Sequence, residues 1–354
     1  MSKSIDFLVF IGRFQPFHTG HLSVVQRALT LSDRVILVCG SARQPRSIRN
    51  PWPPEQIADW IRACLEPSER DRVDIEPVMD VPYNERLWVR AVQQATDAVI
   101  ARRGIDTNEA RIGLIGLTDN GASYFPSRFP YWYSVPFDTD NGVRGTAIRE
   151  ALFDLGEQED PGGVDYLTSA AARAVLPEPI RVALLSWCDT DAYAQLHQEA
   201  AFLADYRGAW ANAPYPPTFV TVDAIVVQSG HILLVERRAR PGRGLLALPG
   251  GFIGPGEWLE DACIRVLRTE TRLKVPAPVL KGSIQDRRVF DAPHRSQRGR
   301  TITHGFLIEL APGPVLPRVK GGDGTRQAFW LPLNRLEPEY FFEDHYFMIQ
   351  TMLG

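Results

Sequence analysis

Long apolar runs are missing from this chain. No segment reaches the length of a membrane span, and the start holds only a strand-sized run at 7–11 where a signal peptide would need a longer apolar core. The expectation is a soluble cytoplasmic protein with no membrane partner. Cysteine is scarce: Cys39, Cys64, Cys188 and Cys263 are far apart, with no Cys-x-x-Cys and no histidine at ligand spacing. That pattern argues against a disulfide framework and against a zinc site. Neither sign of charge dominates, with 39 Lys+Arg against 42 Asp+Glu and a net charge of −3, so no basic field invites nucleic acid. Gly-x-Gly-x-x-Gly and the P-loop string are also absent, which disfavours a dinucleotide-binding dehydrogenase or a P-loop enzyme. Gly113, Gly116 and Gly121 lack such spacing and read as a strand end and a turn.

What is present fits two domains. At 354 residues the chain is long for one core and comfortable for two. Short β-branched runs at 7–11, 34–39, 73–78 and 111–117 alternate with helical patterns at 21–31, 54–65 and 86–102, the signature of a parallel sheet covered on both faces. An acidic, Gly-rich break follows at 156–163, then helical material to about 210. The stiff Pro-rich stretch 213–217 reads as a boundary, and beyond it β runs at 218–228 and 232–237 flank a Ser229-Gly230 turn. The expected division is an α/β domain over 1–185, a connector over 186–214 and a second domain over 215–354.

The string from Gly12 to His21, Gly-Arg-Phe-Gln-Pro-Phe-His-Thr-Gly-His, follows the first strand and opens the first helix. A helix start offers backbone N–H groups and a favourable dipole to an anion. Two histidines at i and i+3, directly after Arg13, add side-chain donors, so the segment reads as a phosphate site.

His18-Thr19-Gly20-His21 resembles the HxGH signature of the nucleotidyltransferase superfamily, and the longer string resembles the archaeal-type nicotinamide-mononucleotide (NMN) adenylyltransferases. Gly145-Thr146-Ala147-Ile148-Arg149 is similar to that family's second signature and Ser47-Ile48-Arg49-Asn50-Pro51-Trp52 to its middle segment. The resemblance implies a Rossmann-like fold, ATP and NMN as substrates, NAD and pyrophosphate as products, and Mg²⁺ arriving with ATP. It places Gly12, Arg13, Phe14, His18, His21, Thr146 and Arg149 around ATP, with His18, His21 and Arg149 catalytic. It places Arg49, Asp80, Asn84 and Trp88 around NMN. A solvated loop arginine competes with the reading of Arg49, and a core tryptophan with that of Trp88.

From Pro249 onward the chain resembles a Nudix hydrolase of the ADP-ribose pyrophosphatase type, an α+β fold. Gly251, Glu257, Arg265, Leu267, Glu270 and Leu273 fall on the box register, but Val266 and Thr269 stand where the family has glutamates and Arg272 where it has glycine. The family's Mg²⁺ or Mn²⁺ cluster would occupy positions 266, 269 and 270, which helical spacing puts on one face. One carboxylate of three, Glu270, is left as metal ligand. Glu260 lies about 15 Å away along the helix and cannot complete the set. Arg287, Arg288, Arg298 and Arg300 are candidates for a diphosphate, with solvated loop arginines as the competing reading. The expectation is an adenylyltransferase whose second domain hydrolyses ADP-ribose weakly or not at all. The alternatives are a fully bifunctional enzyme and a nucleotide-sensing or homo-oligomer-forming module.

Overall fold

The run expected at 7–11 is a strand, β1 (Ile5–Gly12), in a computed structural model that describes residues 5–117, 124–137, 142–154 and 163–354. Gly121 and the break at 156–162 lie outside the described residues. Phe7, Leu8 and Val9 are fully buried, as a strand covered on both faces requires.

After β1 the chain alternates: α1 (Thr19–Leu31), β2 (Ser32–Cys39), α2 (Pro54–Ala63), α3 (Pro67–Arg70), β3 (Val73–Pro77), α4 (Glu85–Arg102) and β4 (Ile112–Leu117). Then follow α5 (Tyr124–Arg128) and a strand that the sequence did not announce, β5 (Tyr133–Phe137). It contains Pro136, which is tolerated because β5 is an edge. All neighbours pair in parallel, in the order β3-β2-β1-β4-β5. Chain direction across the sheet reverses between β1 and β4, and the crevice beyond the carboxyl ends at such a switch point is where ligands bind in open parallel sheets. The Gly12–His21 loop leaves the sheet there. Among the described residues the helices α6 (Gly145–Leu152), α7 (Gly163–Thr168), α8 (Ala170–Val175), α9 (Glu178–Cys188) and α10 (Asp191–Gly208) follow.

Residues 1–198 and 199–354 are separate compact units, so the division falls inside α10. In the second unit β6 (Thr218–Gln228) and β7 (His231–Arg237) form a hairpin whose turn residues, Ser229 and Gly230, both have positive φ, 47° and 73°. That is the turn geometry whose twist suits adjoining strands. Next come β8 (Leu246–Ala247), β9 (Gly250–Phe252), α11 (Leu259–Thr271), α12 (Ala277–Gly282), β10 (Ile284–Phe290), β11 (Arg300–Glu309), β12 (Thr325–Pro332) and α13 (His345–Leu353). The sheet is mixed, β10-β11-β6-β7-β12, with β8 on β7 and β9 on β6; only β6 and β11 pair in parallel. Val222, Ala224 and Val226 of β6 pack with Cys263, Val266 and Leu267 of α11 in its core.

Candidate functional site

His18 caps the start of α1 and is buried, and the backbone N–H of His18 donates to Nδ1 of His21 at 3.4 Å. An imidazole that accepts at Nδ1 carries its proton on Nε2, which leaves that N–H available. Burial holds the His18 ring down at about 4, and burial plus the neighbouring His18 holds His21 well below the ordinary imidazole range. Both rings are therefore neutral at pH 7. They act as hydrogen-bond donors and acceptors and not as charges. Nδ1 of His18 is buried with no partner among the described residues, as befits a site that a ligand or water completes.

The positive charge comes from three arginines. Arg13, Arg49 and Arg149 are all held below the usual guanidinium value, each chiefly by burial. Arg49 and Arg149 fall to about 10, with repulsion from Arg13 acting on both and from Arg49 on Arg149. Three converging cations, two from loops and one from α6, form a cradle that an anion would relieve. Arg149 is positioned by donating to the Gln15 carbonyl and, at 3.2 Å, to Thr146 Oγ1.

The residues expected around NMN have structural duties as well. Asp80 accepts from Ser41 N at 3.2 Å and Ser41 Oγ at 2.6 Å, and Gln44 Nε2 reaches it at 3.4 Å. It thereby shapes the start of the loop that carries Arg49, and its charge offsets those of Arg13 and Arg49. Asn84 spends its side-chain oxygen capping α4, accepting from Leu87 N at 3.2 Å. Trp88 is half-buried against Phe125 and Phe129, with centroids 5.9 and 6.1 Å away.

In the second unit Glu257 and Arg265 form a two-point pair at 2.7 and 2.8 Å, and Gly254 N donates to Glu257 at 3.1 Å. The Arg265 contact, then the Gly254 amide, pulls the Glu257 carboxyl down to about 2. This pair fastens the loop after β9 to α11. Positions 266, 269 and 270, expected on one face, have different surroundings. Val266 is buried in the core against Gly251, Thr269 lines a groove with Arg268 and Arg272, and Glu270 is half-buried beside Gly324. At about 100° per residue, position i+3 lies about 60° to one side of i and i+4 about 40° to the other, a spread of about 100° that suffices to separate a core-facing residue from an exposed one. Burial raises the Glu270 carboxyl, Arg237 counteracts this, and Asp323 adds to it. Glu260 pairs with Arg287 and Asp261 with Lys281, so neither joins Glu270. Among the described residues no group of three or more His, Cys, Asp or Glu could hold a metal ion. The side chains present do not fit the carboxylate cage of a Nudix metal centre. Of the other candidate arginines, Arg300 donates to the Asp291 carbonyl and Arg298 lies over the Phe252 ring at 5.3 Å.

Sequence reasoning missed a buried polar cluster drawn from β6, β11, the loop between β10 and β11, and the residue that caps α13. Arg295 donates to both Asp344 oxygens at 2.9 and 2.7 Å and also to Thr303 Oγ1, which bonds Thr221 Oγ1 at 2.5 Å. Beside them Asp223 is pushed up to about 7 by burial, against the pull of Arg295. Only its position in a strongly apolar strand, among valines and an isoleucine, hinted at this.

Among the described residues no helix is long and apolar enough to cross a membrane. Comparison with known proteins agrees with the two-part reading. The family described as cytidylyltransferase-like matches residues 9–151, and the NUDIX domain family matches residues 217–352. A nicotinamide/nicotinic acid mononucleotide adenylyltransferase of Acinetobacter baylyi is 33% identical over 195 residues, 55% of this chain and 93% of that protein. An ADP-ribose pyrophosphatase of Methanocaldococcus jannaschii is 35% identical over 124 residues, 35% of this chain and 67% of that protein. The structure of a bifunctional NMN adenylyltransferase/ADP ribose pyrophosphatase from Francisella tularensis, complexed with AMP and a manganese ion, superposes with a TM-score of 0.87 at 32% identity, covering 99% of this chain and 98% of that one. The chain therefore belongs to the family of two-domain proteins that join a nucleotidyltransferase domain of the NMN adenylyltransferase type to a Nudix domain.

Proposed function

We propose that the first unit transfers the adenylyl group of ATP to NMN, giving NAD and pyrophosphate. The observation that carries this reading is the convergence of Arg13, Arg49 and Arg149 with the neutral His18–His21 pair beyond the carboxyl end of β1. In the reaction an oxygen of the NMN phosphate forms a bond to the α-phosphorus of ATP while the bond from that phosphorus to the β-phosphate bridging oxygen breaks. No protein nucleophile is needed. The protein aligns two anions and stabilises charge on the transferring and leaving oxygens. His18 and His21 donate hydrogen bonds to the triphosphate, and Gly12, Arg13 and Phe14 shape its bed. Thr146 and Arg149 hold it from α6, and ATP brings Mg²⁺ as part of the substrate. Arg49 holds the NMN phosphate on the loop that Asp80 orders, while Asn84 and Trp88 flank the nicotinamide end. Incubation of the purified chain with ATP and NMN should yield NAD and pyrophosphate; no product with either NMN or its acid form would overturn the reading.

For the second unit we infer weak or absent ADP-ribose hydrolysis, because Val266 fills a position where the family binds metal and Glu270 belongs to no group of three or more candidate ligands among the described residues. Hard divalent cations need several oxygen ligands at once. The unit then serves to bind a nucleotide or to support assembly. Hydrolysis of ADP-ribose with Mg²⁺ or Mn²⁺ at a rate comparable to NAD synthesis would restore the bifunctional alternative.

A further inference from the structure

We propose that Gln15 is a positioning residue that couples the two substrate subsites, an inference that rests on the adenylyltransferase reading. Its side-chain amide is buried and bonds both ways to the backbone of Trp52: Nε2 donates to the Trp52 carbonyl at 2.7 Å, and the Trp52 N–H donates to Oε1 at 3.3 Å. That two-point grip spans 37 residues and holds the end of the loop bearing Arg49. The carbonyl of the same residue accepts from the Arg149 guanidinium. Gly145, which opens α6, lies so close that a Cβ there would stand 2.9 Å from this carbonyl. Trp52 is immobilised in turn, fully buried between Trp60 and Trp187 at centroid distances of 5.5 and 5.2 Å. Thus one residue is bonded through its side chain to the arm that presents Arg49 and through its backbone to the arginine of the opposite helix.

A grip of this kind sets the separation of the two anion sites. A displacement of about 1 Å between reacting groups costs on the order of 10²-fold in rate. Gln15→Met keeps the length and the backbone carbonyl but removes both amide bonds to Trp52. It loosens the end of the Arg49 loop, which Trp52 packing and the Asp80 contacts still restrain, and leaves Arg149 anchored. The expected result is a tenfold or larger rise in KM for NMN and a fall in kcat, with KM for ATP within about threefold of the parent.

A double-mutant cycle with Arg49→Ala separates positioning from plain structural support. If Gln15 acts through Arg49, Gln15→Met adds little to the KM for NMN once Arg49 is gone. Additive effects, or equal rises in both KM values, would overturn the inference. Should Gln15→Met not fold, as judged by circular dichroism and a thermal melt, Gln15→Glu carries the same cycle, since it keeps the Oε1 acceptor and loses the Nε2 donor. Failure of the adenylyltransferase reading shows separately, as an inactive parent chain.

Discussion

The imidazoles of His18 and His21 lie stacked, with ring centroids 3.6 Å apart and planes 24° from parallel. Two charged rings would not tolerate that distance, and burial keeps both neutral. In the proposed adenylyl transfer the pair acts through directed N–H groups. Each donor aimed at charge that develops in the transition state is worth about 10²-fold or more in rate. His18→Ala and His21→Ala should each lower kcat for NAD synthesis by that factor while remaining folded. Near-parental kcat in both variants would remove the pair from the mechanism.

Neutrality of His18 has a consequence for stability. Its pKa lies at about 4 in the folded chain against 6.5 in an unfolded one, so between those values the unfolded state binds the extra proton. Stability is thus lost as pH falls from 6.5 towards 4, by up to ~3 kcal/mol from this group. His18→Asn removes the titration. The stability difference between parent and variant, measured by urea unfolding at pH 7.5 and pH 4.5, should shift in favour of the variant on acidification. A difference independent of pH would contradict the burial argument.

How much of this was legible beforehand follows from what each element depends on. The strands β1, β2, β6 and β7 announce themselves because a buried strand needs an unbroken β-branched run, and the turn at Ser229-Gly230 because few residue pairs accept two positive φ values. The strand–loop–helix start of α1 with its two histidines was equally plain, since the histidines, the glycine and the element order are local. β5 was not, for it is short, aromatic and interrupted by Pro136. The role of Gln15 was hidden for another reason: its partner lies 37 residues on, and no local pattern encodes such a contact. The spacing argument for positions 266, 269 and 270 located them on one side of α11, but it could not say that Val266 turns into the core and Thr269 out to solvent.

The Arg295–Asp344 pair is nearly enclosed, with side-chain exposures of 3% and 8%. Breaking a buried pair costs at most about 3–5 kcal/mol here, since Asp223 and Glu343 also face Arg295, whereas surface pairs contribute little. Asp344→Asn should therefore destabilise the second unit by up to that amount in denaturant unfolding. The exposed pair Arg62–Asp59 provides the contrast, since Asp59→Asn should change stability by less than about 0.5 kcal/mol. Equal effects at the two sites would show that solvent reaches the Arg295 cluster.

The second unit offers a test by repair. Val266 lies against Gly251 at the edge of the core, its methyls within van der Waals range of where a Cβ there would stand, and Thr269 is already exposed. Val266→Glu combined with Thr269→Glu restores the family's charge count without changing the box spacing. A divalent ion held there would supply an activated water. The parent chain is expected to show little or no ADP-ribose hydrolysis with Mg²⁺ or Mn²⁺, and the double variant measurably more, at the cost of some stability from the new charges beside a core. NAD synthesis should be equal in both, because every residue assigned to that reaction belongs to the first unit. Robust hydrolysis by the parent, abolished by Glu270→Gln, would mean that Glu270 works with ligands outside the box, and the eroded-site reading would fall.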